Sequence, residues 1–352
     1  MSNSNISKPI SASETNAPQK MAAQRVKAVN ELCPPLFDPV GSLAFRPDQH
    51  SNSWFLSGYL ETATGHKFNC LVHQLVRSAP GQPVEIASIL NITDLSRLEY
   101  RSEERVHSAG EVTLATDRMQ IVTPTSTIEG DHRSVHAQAE FGWGALDFTA
   151  EFPGHIMMNG GSGVFNCVDS LPTVQYSIPW GKGSGWITLD GVRHDLTGEF
   201  WFDRQWLISR GIMEEGHRAL VGSSYKWVWM DLNLSNGIAL GLWDIELSGE
   251  RHGWVTALLQ DGTHIIAALE PLADDASEFW TSTASGQRYP TRFKVNVPAL
   301  DCVLEVAAIM LDQEVASPVQ PKYEGVANIS GTYGGKPVTG YTLIELVGDW
   351  SA

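Results

Sequence analysis

The residues best equipped for chemistry lie in one run, Gly198-Glu199-Phe200-Trp201-Phe202-Asp203-Arg204-Gln205-Trp206, where an acid and a base sit among aromatic side chains. If the run is a strand, Trp201, Asp203 and Gln205 share one face, and Phe202, Arg204 and Trp206 share the other. A carboxyl flanked by tryptophans is a candidate proton donor, because apolar surroundings disfavour its ionised form and raise its pKa. Arg204, Gln205 or a protonated Asp203 would also serve as a hydrogen-bond donor to a substrate carbonyl. The structural alternative is that Asp203 is simply held by Arg or backbone N–H groups at a strand end. His73, in the run Leu71–Val76, shares a face with Leu71 and Leu75 and would point into a barrel lumen; a satisfied core histidine is the alternative. Trp54, Trp201, Trp206, Trp227 and Trp229 are candidates for a pocket wall and equally for ordinary core.

Other chemistries leave no trace. There is no GxGxxG, P-loop or HExxH, and Gly161-Ser162-Gly163 lacks the spacing of a GxSxG nucleophile elbow. The glycine cluster Gly160–Gly163 reads as a flexible rim loop before it reads as a phosphate cradle. His132 and His136 are four apart, a spacing that makes no metal site on a strand. Cys33, Cys70, Cys167 and Cys302 lie far apart without CxxC or CxxH spacing, which suggests scattered thiols. No metal and no cofactor are expected.

The elements that must position these residues are strands. From residue 52 onward, short runs rich in aromatic and β-branched residues alternate with turn signals. Runs at Trp54–Leu60, Phe68–Val76, Val84–Ile92, Val135–Phe152 and Trp186–Leu189 have strand character. Asp190-Gly191, Asn236-Gly237, Asp261-Gly262 and Gly334-Gly335 each separate two such runs and tolerate the positive φ of tight hairpins. This predicts an all-β, antiparallel architecture, with closed barrels favoured because closure removes unpaired edges. Residues 1–25 are a Ser/Asn/Thr-rich tail expected to be disordered. A short N-terminal helix is expected between Gln19 and Leu32, stopped by Pro34 and Pro35. The strand pattern lapses in Ser209–Gly216, so a boundary is placed near residue 215, between domains 26–215 and 216–352.

The 24 Lys and Arg residues against 40 Asp and Glu give a net charge of −16, which argues against a phosphate backbone or an anionic membrane as partner. Without a bilayer-length apolar run or a signal-peptide pattern, the chain is expected to be soluble and cytoplasmic. The 12 Trp equal the 12 Phe, an excess that needs a structural account.

The segment GEFWFDRQW resembles the Asp-x-x-Trp signature of the AttH/CrtC-like superfamily, which includes carotenoid 1,2-hydratases, kievitone hydratases and fungal decalin-forming Diels–Alderases. Ser53–Leu60 resembles the family's early W-W-Y-x-x-G-x-L strand, with Phe55 and Leu56 in place of common aromatics. Trp227–Leu234 with Asn236-Gly237 resembles the hairpin that opens its second domain. Tyr323-Glu324-Gly325, followed by GTYGGKPVTGYTLIEL, resembles its closing segment, without the second Trp. The resemblance spans about residues 50 to 348. It implies two tandem lipocalin-like barrels, a pocket in or between them for a large apolar, polyene-like substrate, and no metal or nucleotide. It also adds Tyr323, Glu324 and Glu345 as candidate pocket residues.

Three functions follow as expectations. The first is a cyclase of the Diels–Alderase type, which needs an apolar cavity that holds the reacting termini together and one hydrogen-bond donor. The second is a hydratase or isomerase in which Asp203 protonates a C=C bond and indole faces shield the cation. The third is a carrier of a hydrophobic small molecule that does no chemistry.

Overall fold

The computed structural model describes residues 36–49, 51–77, 83–168, 171–208, 225–247, 249–315, 317, 321–348 and 350. The expected tail, the expected N-terminal helix and the boundary near residue 215 lie outside the described residues. Among the described residues no helix is long and apolar enough to cross a membrane.

Two antiparallel sheets carry the fold. The first contains β1 (Ser51–Glu61), β2 (Lys67–Arg77), β3 (Glu85–Asp94), β4 (Glu99–Ser108), β5 (Thr113–Leu114), β6 (Met119–Val122), β7 (Ser126–Gly130), β8 (Ser134–Phe141) and β9 (Gly144–Glu151). It is completed by β10 (Met157–Met158), β11 (Val164–Val168), β12 (Leu171–Leu189) and β13 (Val192–Leu207). Its order is β4-β3-β2-β1-β13-β12-β9-β8-β7-β6-β5, with β10 and β11 on β12. The second sheet contains β14 (Tyr225–Leu234), β15 (Ala239–Leu247), β16 (Glu250–Leu258), β17 (His264–Ala268), β18 (Ser277–Thr281), β19 (Arg288–Val297), β20 (Cys302–Ala308), β21 (Glu314–Val315), β22 (Lys322–Tyr333) and β23 (Lys336–Gly348). Its order is β17-β16-β15-β14-β23-β22-β20-β19-β18, with β21 on β22.

The first sheet curls back on itself. Gln74 Nε2 on β2 donates to Ser126 O at 3.0 Å, Ser88 Oγ on β3 meets Thr123 Oγ1 at 2.9 Å, and His107 Nε2 on β4 meets Thr125 Oγ1 at 2.9 Å. Side chains thus bring β2–β4 against the β6–β7 turn, in the barrel-like curl that the turn pattern anticipated. The apolar interior of the second sheet includes Val228, Met230, Leu242, Val255, Phe293, Leu304 and Ile344.

All four turn pairs identified in the sequence join hairpins. Asp190-Gly191 and Gly334-Gly335 have positive φ at both residues, the two-residue form expected. At Asn236-Gly237 and Asp261-Gly262 only the Gly is left-handed, and Leu234 N to Ile238 O and Leu259 N to Thr263 O close three-residue loops instead.

Burial locates the face that matters. β8 and β9 alternate buried with less buried positions, as a sheet with one wet face should. β1, β2 and β3 are instead buried on both faces. One face lines the interior of the first sheet, and the other packs on the second sheet.

Candidate functional site

Strand parity sorts the second sheet's side chains. Val228 and Met230 turn into its interior, whereas Trp227, Trp229 and Asp231 project towards the first sheet. The register sets them in a row: Trp254 on β16 opposes Trp243 on β15, which opposes Trp229 on β14, then Glu345 on β23 and Glu324 on β22. On the first sheet a second row runs through Ser177 (β12), Asp203 (β13), Phe55 (β1) and His73 (β2). An aromatic cluster of Phe55, Trp201, Trp229 and Trp243, with Met157 and Leu343, joins the two rows. Phe55 meets Trp229 edge-on at 5.3 Å between centroids, and Trp201 meets Trp229 at 6.5 Å. Trp180, Trp227 and Trp254 pack at its margin, so half of the 12 tryptophans serve this interface.

Asp203 is 5% exposed. Its Oδ1 accepts from Trp201 Nε1 at 2.7 Å and its Oδ2 from Gln175 Nε2 at 3.3 Å, and Gln175 Oε1 in turn accepts from Trp243 Nε1 at 2.7 Å. Burial pushes this carboxyl up to about 8, with further upward pushes from Asp231 and Glu345, against the downward pulls of Ser177 and Trp201. At neutral pH Asp203 therefore holds its proton, the state a general acid needs.

Asp231 is equally buried, on the same face of β14 as Trp227 and Trp229. It accepts from Ser57 Oγ at 3.1 Å, from Thr342 Oγ1 at 3.2 Å and from Leu343 N. Burial raises it to about 7 in spite of these donors.

A third polar group sits at the other end of the rows. Lys322 Nζ pairs with Glu324, lies 3.3 Å from Glu345 Oε2 and donates to His73 Nδ1 at 3.3 Å. Trp227 Nε1 donates to Glu345 Oε1 at 3.0 Å and Asn91 Nδ2 to Glu324 Oε2 at 2.6 Å. Burial, Lys322 and Arg77 all hold His73 well below its ordinary range, so its ring is neutral. With Nδ1 accepting, Nε2 carries the hydrogen and donates to Ser53 Oγ at 2.8 Å. Burial drives the Lys322 ammonium down, but Glu324 and Glu345 more than compensate and it stays charged.

The candidate residues thus divide. Asp203, Trp201, His73, Trp227, Trp229, Glu324 and Glu345 come together between the sheets, and Gln205 shares the Asp203 face. His73 was expected in a barrel lumen; the Leu71 face it occupies is instead the one covered by the second sheet, where Lys322 meets it. Arg204, Trp54 and Trp206 lie on the opposite face. The five N–H groups of Arg204 bond to Ser42 O, Ala44 O, Asn52 Oδ1, Gln205 O and Ser53 O, and its guanidinium lies 4.2 Å from the Trp54 ring centroid and 5.0 Å from that of Trp206. Period-two alternation places it there, away from the Asp203 carboxyl, where it ties the 42–44 segment to β1 and β13. Tyr323 is likewise in the second sheet's interior, bonded to Met310 O and Gln313.

Sequence reading missed Lys322, Asp231, Gln175, Trp243 and Trp254. Parity would have found two of them, since Lys322 shares a strand face with Glu324 and Asp231 shares one with Trp229. The rim-loop segment Gly160–Gly163 docks on the second sheet: Gly160 N donates to Thr256 Oγ1 at 2.9 Å, and Met158 N to His264 Nε2 at 3.0 Å. The approach is close at Gly241, where a Cβ would lie 2.7 Å from Asn159 Oδ1 and push the side chains of Asn159 and Met157 aside. Among the described residues no cluster of three or more His, Cys, Asp or Glu is arranged to hold a metal ion.

Among the described residues Trp229 Nε1 and Trp254 Nε1 are buried donors without an acceptor, whereas Trp243 Nε1 is bonded. Trp229→Phe therefore loses no internal hydrogen bond, while Trp243→Phe strands Gln175 Oε1. Urea unfolding should show Trp243→Phe to be the more destabilised of the two by about 1–3 kcal/mol; equal losses would contradict this geometry.

The match to known proteins agrees with the fold. Kievitone hydratase of Fusarium solani subsp. phaseoli is 24% identical over 312 residues, covering 85% of this chain and 83% of that protein. Dehydratase asqC of Emericella nidulans is 21% identical over 332 residues, covering 86% and 87%. The crystal structure of kievitone hydratase from Nectria haematococca is similar with a TM-score of 0.76 at 20% identity, over 92% of this chain and 96% of that one. The structure of CghA with Sch210972 is similar with a TM-score of 0.57 at 11% identity, over 90% and 95%. Residues 42–349 match the AttH-like family, and the chain belongs to it.

Proposed function

We propose that this protein is an enzyme that adds water to, or removes it from, a carbon–carbon double bond of an apolar small molecule held between the two sheets, with Asp203 as the proton donor. The observation that carries this reading is the Asp203 carboxyl itself: buried among tryptophans, held by the neutral donors Trp201 and Gln175, and protonated at neutral pH. Protonation of an alkene carbon by Asp203 leaves a cation on the neighbouring carbon. The indole faces of Trp201 and Trp229 and the Glu345 carboxylate would stabilise that charge, and water completes the addition. The names of the two sequence relatives, a hydratase and a dehydratase, support the same chemistry in its two directions.

Hydration thus moves ahead of the cyclisation that the sequence put first, because cyclisation needs only a hydrogen-bond donor, a role any N–H or O–H in the site fills, whereas hydration uses the acidic proton that burial keeps on Asp203. One observation favours cyclisation as a second reading: the unpartnered Trp229 and Trp254 N–H groups offer donors to a conjugated carbonyl. The cavity beside Asp231 and Trp201 holds only about 10 Å³, too little for a substrate, so a substrate that reaches Asp203 must displace the side chains packed around it.

The test incubates the full chain with kievitone and a panel of apolar alkenes in heavy-oxygen water. A product that gains one water with the heavy label supports the reading. Ligand recovered bound and unchanged would establish a carrier, and an isomer of unchanged mass formed without uptake of solvent hydrogen would establish a cyclase.

A further inference from the structure

We infer that Asp231 is the base that accepts a proton from the attacking water, which it holds in the small cavity beside Trp201. This rests on the hydration reading above. The β14–β23 ladder pairs Met230 with Ile344 and Asn233 with Tyr341 but skips the residues between. Where the ladder opens, the Asp231 carboxylate faces Leu343 N, Thr342 Oγ1 and, across the interface, Ser57 Oγ on β1. Beside it lies the cavity of about 10 Å³, lined among others by Ser57, Asn69, Trp201, Asp231 and Tyr341. That space suits about one water, and its polar lining supplies the partners an ordered water needs. Trp201 connects the two carboxyls: its Nε1 donates to Asp203, and its side chain forms part of the cavity wall at Asp231.

In the step, the water oxygen forms a C–O bond to the cation while its O–H bond breaks and the proton passes to Asp231. Asp203 has by then given its proton to the alkene, so the pair ends with one proton exchanged between its members. Transfer from Asp231 through solvent to Asp203 resets it. Among the described residues the titratable groups around Asp231 are Tyr59 on β1, Glu199 and Asp203 on β13 and Tyr341 on β23, with Lys182 of β12 paired to Glu199. Tyr341 donates to Glu199, and burial, with that bond next, pushes its hydroxyl far above its ordinary range, so it stays neutral throughout. Burial raises both carboxyls, and a charge on Asp231 raises Asp203 further, so an ionised Asp231 helps keep the proton on Asp203 and the pair divides into base and acid.

The test compares Asp231→Asn with the parent in deuterium oxide, using an alkene that the parent hydrates. The variant should hydrate about 100-fold more slowly, lose the rising limb of the pH profile near 7, and still place solvent deuterium in the recovered alkene, because Asp203 continues to protonate it. Hydration retained within about threefold with the limb intact overturns the assignment. So does parallel loss of hydration and deuterium uptake in a variant of unchanged thermal stability. A parent that neither hydrates nor exchanges any alkene removes the hydration reading and this assignment with it, a result distinct from those two. Should Asp231→Asn not fold, Ser57→Ala serves: loss of the Ser57 donor raises Asp231 further and moves the rising limb upward, and an unmoved limb overturns the assignment.

Discussion

Asp203→Asn should abolish hydration, lowering kcat at least about a thousandfold, or about 4 kcal/mol in the barrier, while the protein becomes no less stable at neutral pH. The amide keeps an oxygen for Trp201 Nε1, and its NH2 can turn to Ser177 at the cost of the 3.3 Å bond from Gln175 Nε2, but it has no acidic proton to give. A cyclisation that needs only a hydrogen-bond donor would be reduced far less. The stability half follows from linkage. Burial raises the folded carboxyl from 3.8 to about 8, so between those values the folded chain holds a proton that the unfolded chain releases. The parent's contribution from this group is therefore intact below about pH 4 and is lost progressively as pH rises towards 8. The variant has no such slope. Thermal melts from pH 4 to 8 should show its stability improving relative to the parent as pH rises. A variant that is inactive and also loses relative stability towards pH 8 would mean that Asp203 is a structural carboxylate and that its proton is not the one used.

Much of this arrangement was legible from alternation and turn chemistry, because both are local. The four hairpins, the strand character of the Asp203 segment and the split of that segment into two faces needed only neighbouring residues. The same alternation was under-used for Arg204. It stands next to Asp203 in the chain, yet adjacency along a strand is separation across the sheet, and its guanidinium serves the 42–44 segment instead. What a single sequence hides is the contact between sheets. Lys322 meets His73 from 249 residues away and Ser57 meets Asp231 from 174. No periodicity within either strand says which face of the other it will cover. The tryptophan excess is explained at this level: each Trp looks like core within its own strand, and only the register across β16, β15 and β14 aligns three of them opposite the acid.

The largest stability effect should come from Lys322→Met. Glu324 and Glu345 are directly opposed on β22 and β23, and the Lys322 ammonium is the charge between them. Its removal leaves the buried Glu324 carboxyl facing the half-buried one of Glu345, with Asn91 donating to the first and Trp227 to the second. Breaking a buried ion pair on one side costs about 3–5 kcal/mol, because the surviving charge stays desolvated. In the parent, burial and Glu345 already raise Glu324 while Lys322 pulls it down, so the variant's carboxyl must rise further. The variant's cost should then be greatest above neutrality and shrink as falling pH protonates Glu324, in the reverse sense to acid denaturation of an ordinary salt bridge. Urea unfolding of Lys322→Met at about pH 7.5 and pH 4.5, bracketing the carboxyl range, checks this. Adding Glu324→Gln to Lys322→Met should recover a substantial part of the loss in a double-mutant cycle. A cost below about 1 kcal/mol, or one that does not change with pH, would place the ammonium in water with the pair screened, as at an exposed salt bridge. The same contact reaches His73 on the first sheet, so the charge that steadies β22 and β23 also helps dock the two sheets around the Asp203 carboxyl.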